Sequence, residues 1–305
     1  MIYTVTLNPA VDYVVQVENF EQDTINRSKS DYKEAGGKGI NVSRVLDRFG
    51  GTSTALGFVG GFTGKFITDY LTEVNIPHNF VSLEEDTRIN VKLKSGSEET
   101  EVNGKSPLIS EQAYNQFIEK LQGLSQGDMV VLAGSLPSSL PQNTYQTLTT
   151  MLNKQGISVI LDTSGAALKE AIKAGPAFIK PNNHELADLF GEEVNTDEDI
   201  IMLAKRLHQE NKIDHVLVSM AKEGAIYVGA SGVFKLSAPV GKAINSVGAG
   251  DSAVAGFIYK WQETKNAEES AKYAVASGSA TAFSKTLCTK EEAENLLKEV
   301  EITKL

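Results

Sequence analysis

Cysteine, histidine and positive charge are scarce in this chain of 305 residues, and long apolar runs are missing. The one cysteine, Cys288, excludes an internal disulfide framework and fits a reducing cytoplasm. The four histidines, His78, His184, His208 and His215, have no metal-ligand spacing with each other or with Cys288, which argues against a structural zinc site. Lysine and arginine number 29 against 39 acidic residues, a net charge of −10. That balance argues against nucleic acid or an anionic membrane surface as partner. Phosphate binding would need a local basic cluster. No apolar run reaches the length of a membrane span. Met1 to Leu7 lacks the basic flank and apolar stretch of a signal peptide. The expectation is a cytoplasmic protein with no membrane and no nucleic-acid partner.

What is present is ordinary: 41% hydrophobic and 22% charged residues, enough chain for one large α/β domain or two smaller ones. Ile2 to Leu7 alternates like a strand ended by Asn8-Pro9, and Tyr13 to Glu18 reads as a second strand. Gly39 to Phe49 has helical spacing, Ser53 to Val59 is strand, and a helix follows Gly60-Gly61 to about Val74. Ile89 to Leu93 and Glu99 to Val102 form a predicted hairpin around Ser95-Gly96-Ser97. From Ser110 on, helices at 111–121, 142–154, 166–174 and 196–209 alternate with apolar strands at 129–132, 157–161, 177–179 and 215–219. This rhythm predicts a doubly wound, mostly parallel α/β sheet. The early, more amphipathic strands predict a small separate sheet.

Two glycine-rich segments carry the chemistry. Asn245-Ser246-Val247-Gly248-Ala249-Gly250-Asp251-Ser252 opens a helix, so free N–H groups form an anion site beside a carboxylate. That pairing suits phosphoryl transfer to an alcohol, and a plain helix cap fits Asp251 as well. The same glycines match a relaxed dinucleotide fingerprint, but Asn266 to Ala276 downstream reads as helix, so the required second strand is missing. Ala35-Gly36-Gly37-Lys38-Gly39-Ile40-Asn41 is not a P-loop, since Tyr32 and Gly39 break the pattern. Its amides with Lys38 and Asn41 suit a polyhydroxy or phosphorylated ligand, and a glycine turn before a helix is the simpler alternative.

Lys180-Pro181-Asn182-Asn183-His184-Glu185 follows a predicted strand, where open α/β sheets bind ligands. Asn182 and Glu185 suit a hydrated Mg²⁺ held through its waters, or a capping arrangement. Gly134-Ser135-Leu136-Pro137 at another strand end suits a ligand-facing loop or a turn. Arg27, Arg88 and Lys105 fall on the early strands and loops, where a solvated charge is the default. No Gly-x-Ser-x-Gly hydrolase elbow occurs.

Together these segments resemble the ribokinase-like sugar kinases, the PfkB carbohydrate kinase family, over essentially the whole chain. The resemblance rests on Gly36-Gly37-Lys38-Gly39 with Asn41 near the start and Val247-Gly248-Ala249-Gly250-Asp251 near the end, in that order. Thr6-Leu7-Asn8-Pro9-Ala10-Val11-Asp12 and Gly37 to Ser43 are similar to the hexose-phosphate branch. The resemblance implies one ribokinase-like domain over 1–305, with a β lid formed by about 11–34 and 86–105 that pairs two subunits. The implied reaction is ATP-dependent phosphorylation of fructose 1-phosphate to fructose 1,6-bisphosphate. Tagatose 6-phosphate is the alternative acceptor, and a non-catalytic sugar-phosphate or nucleotide sensor is the alternative of another class.

The resemblance also implies roles. Asp251 is the catalytic base, and the Gly248, Ala249 and Gly250 amides form the anion hole. Asp12, Gly36, Gly37 and Asn41 hold sugar hydroxyls, and Lys38, Arg27 and Arg88 clamp the sugar phosphate. Asn182 and Glu185 serve the magnesium-phosphate group, while Ser219, Lys222 and Gly224 form the nucleotide turn. Ala276, Ser277 and Gly278 border the adenine. Asn103-Gly104-Lys105-Ser106-Pro107 departs from the family's Gly-Pro turn, so Asn103 and Lys105 match less closely.

Overall fold

The computed structural model describes residues 1–96 and 98–305; Ser97, at the tip of the expected hairpin, lies outside the described residues. The chain builds one large sheet flanked by helices and one small sheet. In the large sheet the order from one edge is Ile302–Lys304, Gly232–Leu236, Ala225–Gly229, His215–Ser219, Phe178–Ile179, Ser158–Asp162, Met129–Ala133, Ile2–Thr6, Thr54–Gly60 and Val81–Leu83. The strands from His215–Ser219 to Val81–Leu83 pair in parallel, and the three at the other edge pair antiparallel.

Alternation explains why the middle strands read as unbroken apolar runs. Along Met129–Ala133, Val130 and Leu132 join the hydrophobic core on one face, and Met129, Val131 and Ala133 join the core on the other. Side chains alternate across a strand, so burying both faces demands apolar residues at every position. The helix Lys38–Arg48 lies close on Ile2–Thr6 because Gly39 has no side chain. A Cβ there would fall 2.6 Å from Thr6 Oγ1 and 2.8 Å from the Val5 carbonyl oxygen. The backbone N–H of Ile40 donates to that same Thr6 Oγ1 at 3.1 Å. Helices Ala249–Thr264 and Ala267–Phe283 pack through small residues, with Gly256 against Ser277 and Gly278 against Ala253. Cys288 is sealed beneath the second of these, its N–H donating to Thr281 Oγ1.

The small sheet has the order Ser30–Gly36, Ala10–Val17, Ile89–Ser95, Glu98–Asn103. Its central pair is parallel, with Asp12 opposite Asn90. The strand Ser30–Gly36 carries little signal in the sequence: its first four residues are exposed, and Tyr32 is the one large side chain with apolar surface among them, so it lacks apolar alternation. The antiparallel pair Ala225–Gly229 and Gly232–Leu236 was also not foreseen. No helix among the described residues is long and apolar enough to cross a membrane.

The parallel register brings three strand ends level. Thr6 pairs with Ala133, and Ala133 with Asp162. Residues just beyond these ends, and Lys180 after Phe178–Ile179, therefore face one crevice at the C-terminal edge, the usual ligand position in open α/β sheets.

Candidate active site

The helix Ala249–Thr264 starts at this edge. Gly248 precedes it at φ 79°, a left-handed conformation that suits glycine, and no side chain of the described residues caps the helix. The Ala249 N–H is committed to the Ser246 carbonyl at 3.2 Å, and Ser252 N–H to the Gly248 carbonyl at 2.8 Å. The N–H groups of Gly250 and Asp251 are left without a partner among the described residues, with the positive end of the helix dipole behind them.

Asp251 sits in the first turn and is only 5% exposed. Its Oδ2 accepts from Asn41 Nδ2 at 2.8 Å, which joins the two glycine-rich segments. Burial and the nearby charge of Asp162 push its carboxyl up to about 6, against the opposing pull of Lys38, Asn41 and Lys180.

Asp162 ends the strand Ser158–Asp162 and is buried. Lys38 Nζ approaches its Oδ2 at 3.2 Å, and Lys180 Nζ its Oδ1 at 3.8 Å. Burial works against the Asp162 charge, but Lys180 and Lys38 outweigh it and hold the carboxyl below its ordinary range. Lys38 is 41% exposed, whereas Lys180 is 8% exposed. Burial opposes the Lys38 charge too, yet Asp162 and Asp251 raise its proton affinity overall. A Cβ on Gly250 would lie 3.2 Å from Lys180 Nζ, so this ammonium flanks the unpartnered helix amides.

A second cluster lies where the small sheet meets the large one. Asp12 accepts from Asn90 Nδ2 at 3.0 Å and faces Lys92 Nζ at 3.4 Å. Gly36 leaves room for it, since a Cβ there would fall 2.7 Å from an Asp12 carboxylate oxygen. Arg88 donates to the Asn8 carbonyl at 3.1 Å, and Asn8 Nδ2 donates to Ser135 Oγ at 3.2 Å. Arg88 Nε and Asn8 Oδ1 are buried without partners among the described residues. Burial lowers the proton affinity of Arg88, with Asp12 opposing.

Residues 5–294 match the model of the pfkB family carbohydrate kinases. The chain belongs to the pfkB family. It is therefore an ATP-dependent carbohydrate kinase. It is 49% identical over 305 residues to a 1-phosphofructokinase of Bacillus subtilis, covering 100% of both chains. It is 37% identical over 306 residues to a D-tagatose-1-phosphate kinase of Bacillus licheniformis, again covering 100% of both. Among solved structures, phosphofructokinase-2 from Escherichia coli in complex with substrates and products superposes with a TM-score of 0.93 at 30% identity, covering 98% of each chain.

In this pfkB-family fold, Asp251, Gly248, Gly250, Asn41 and Lys38 converge on one crevice, as do Asp12, Gly36 and Arg88 beside it. Gly37 caps the helix Lys38–Arg48 at φ 137°. Asn182 and Glu185 form a reciprocal capping box: Asn182 Oδ1 accepts from Glu185 N at 2.8 Å, and Glu185 Oε2 accepts from Asn182 N at 2.9 Å. Ser219 bridges to Asn182 across neighbouring backbones. Lys222 is exposed on the turn Ala221–Glu223, and Gly224 follows at φ 92°.

Other expected residues stand apart. Arg27 is exposed on the loop before Ser30–Gly36, and Asn103 and Lys105 are exposed at the end of the small sheet. Ala276 and Ser277 are fully buried between helices, with Ser277 Oγ donating to the Tyr273 carbonyl at 2.7 Å. Asp162, Asn90, Lys92 and Lys180 join these clusters with no motif in the sequence to mark them. For Asp162 the available signal was an acid closing the apolar run Val159-Ile160-Leu161 at a strand's C-terminal end.

Proposed function

We propose that this chain transfers the γ-phosphoryl group of ATP to a hydroxyl of fructose 1-phosphate, giving fructose 1,6-bisphosphate and ADP. The observation that carries this is Asp251, a buried carboxylate of raised proton affinity at the unpartnered start of a helix. A new bond joins the sugar oxygen to the γ-phosphorus as the bond to the ADP oxygen breaks, and Asp251 takes the hydroxyl proton. The transition state is loose, so the proton leaves late and orientation counts more than basicity. The Gly250 and Asp251 amides, Lys180 and Lys38 stabilise the charge on the transferring group; the Ala249 N–H, expected in the anion hole, is taken by the Ser246 carbonyl, and Lys38, expected in the sugar-phosphate clamp, is paired with Asp162 instead.

Asp12, held by Asn90 and Lys92, orients the sugar hydroxyls, with Gly36, Gly37 and Asn41 beside it. Arg88, with its unpartnered Nε, is the strongest candidate for the acceptor's own phosphate, and Arg27 would join only as its loop closes over the crevice. Residues of about 11–34 and 86–105 act as the lid of a single domain. Their exposed Phe20, Ile25, Tyr32 and Val102 suit pairing with a second copy. ATP as co-substrate fits a cytoplasmic location. Ser219, Lys222 and Gly224 face the nucleotide, with Ala276 and Ser277 as the packed floor behind the adenine.

Among the described residues no group of three or more His, Cys, Asp or Glu could hold a metal. Glu185 keeps one carboxylate oxygen outside its capping box, and Asn182 stands beside it. That sparse oxygen set fits Mg²⁺, which keeps several waters and leans on phosphate oxygens. When bound it neutralises charge on the phosphates.

The relative at 49% identity over the full length favours fructose 1-phosphate as acceptor. Tagatose 6-phosphate has weaker support, and a sensor has no need of a buried base. The test is kcat/KM with Mg-ATP for fructose 1-phosphate, tagatose 6-phosphate, fructose 6-phosphate and free fructose. Fructose 1-phosphate should lead. A tenfold lead for tagatose 6-phosphate would change the named acceptor, a lead for free fructose would remove the phosphate clamp as well, and no ADP release with any sugar would leave a sensor.

A further inference from the structure

The geometry points to Arg44 as a positioning residue for Asp251, acting through the side-chain amide of Asn41. Asn41 and Arg44 are three residues apart on the helix Lys38–Arg48, so their side chains share a face. Arg44 Nη1 donates to Asn41 Oδ1 at 3.3 Å, and Asn41 Nδ2 donates to Asp251 Oδ2 at 2.8 Å. The guanidinium is half-buried and is held 5.2 Å from the centre of the Tyr70 ring. An arginine can only donate and an ionised carboxylate can only accept. The amide between them therefore has one satisfactory orientation, oxygen to Arg44 and nitrogen to Asp251. Without Arg44 the amide is free to turn, and Asp251 loses a donor that favours its charged, proton-accepting form.

The remaining groups around Asp251 do not replace this donor. Asp162, from the neighbouring strand end, disfavours the Asp251 charge. Lys38 and Lys180 favour it, but both are engaged with Asp162. Arg44 Nε is buried with no partner among the described residues, so the side chain is fixed by Tyr70 and Asn41.

The inference rests on Asp251 being the base, and the experiment separates the two. Asp251→Asn is measured first; near-normal turnover there would remove the base itself. With the base established, pH profiles of kcat/KM are recorded for the wild type, Arg44→Met and Arg44→Lys, alongside KM for sugar phosphate and ATP. Arg44→Met should lower kcat about tenfold, leave KM for ATP within about twofold and that for sugar phosphate, which Asn41 also borders, within about fivefold, and move the acid limb up by about one pH unit, the equivalent of one lost hydrogen bond. Arg44→Lys keeps the stem, the charge over Tyr70 and a donor, so it should fold and restore most of the rate. If Arg44→Met does not fold, Arg44→Lys carries the test with a smaller upward shift from its poorer donor geometry. An acid limb unmoved in the folded variants overturns the inference. So does a tenfold rise in KM for sugar phosphate with kcat intact, which would make Arg44 a substrate contact.

Discussion

Asp251 and Asp162 are both buried, and the charge of Asp162 raises the proton affinity of Asp251. Lys38 and Lys180 lie against Asp162, so one carboxylate is held ionised while the other is pushed up to about 6. Two acids in one crevice are thus assigned different tasks by their surroundings.

The acid limb of kcat/KM should therefore lie near pH 6, because activity needs Asp251 deprotonated and the free enzyme's carboxyl titrates at about 6. Asp162→Asn should move that limb to lower pH, since a repelling charge is gone and both lysines are freed toward Asp251. The same variant leaves Lys180 buried without its anion and should lose about 3 kcal/mol of stability. A limb that stays put or rises in Asp162→Asn would mean that the two carboxylates do not interact.

Asp251→Asn should lower kcat by about 10²–10⁴ with little change in ligand affinity. It should also stabilise the protein at pH 7.5. A carboxyl whose folded value lies above its unfolded value binds protons better in the folded state, so stability falls as pH rises between the two and stays low above the folded value. From an ordinary 3.8 to about 6, the Asp251 charge costs about 3 kcal/mol above pH 6. Denaturant titrations should show that gain at pH 7.5 and a smaller one at pH 5. An equal difference at both pH values would rule out ionisation as its cause.

Glu185→Gln tests metal against cap. Glutamine still closes the capping box, so the helix Asn183–Phe190 should remain intact. The lost charge should raise the Mg²⁺ concentration for half-maximal rate several-fold. An unchanged Mg²⁺ dependence would leave Glu185 as a cap only.

Arg88→Ala should weaken a phosphorylated sugar by about 10- to 150-fold, the equivalent of one charge-assisted contact of about 1.5–3 kcal/mol. Free fructose should be affected far less. Equal losses for both sugars would show that Arg88 acts by holding the Asn8 loop through its bond to the Asn8 carbonyl.

The parallel strands were legible because burial on both faces turns Met129–Ala133 and its neighbours into continuous apolar runs. The strand Ser30–Gly36, exposed over its first four residues, carries no such mark, since its pairing with Ala10–Val17 is made by backbone groups that any residue supplies. The same holds for the site. Glycines at a left-handed position and a helix start, Gly37 and Gly248, announce themselves. Asp162, Asn90 and Arg44 do not, because their importance lies in partners such as Lys38, Asp12 and Asn41, far off along the chain or unremarkable beside them. Asn182 and Glu185 were readable in both senses, and the cap is present.

Cys288 is completely buried, and burial pushes its thiol up. Alkylating reagents attack the thiolate and need access to it, so the folded chain offers them no target. Cysteines introduced at exposed positions, such as Thr100 on the small sheet and Met202 on the helix Asp197–Glu210, can therefore be conjugated to a fluorophore pair with the natural sulfur left in place. Energy transfer between the two dyes would then report, in solution and during turnover, whether the distance between the small sheet and that helix changes.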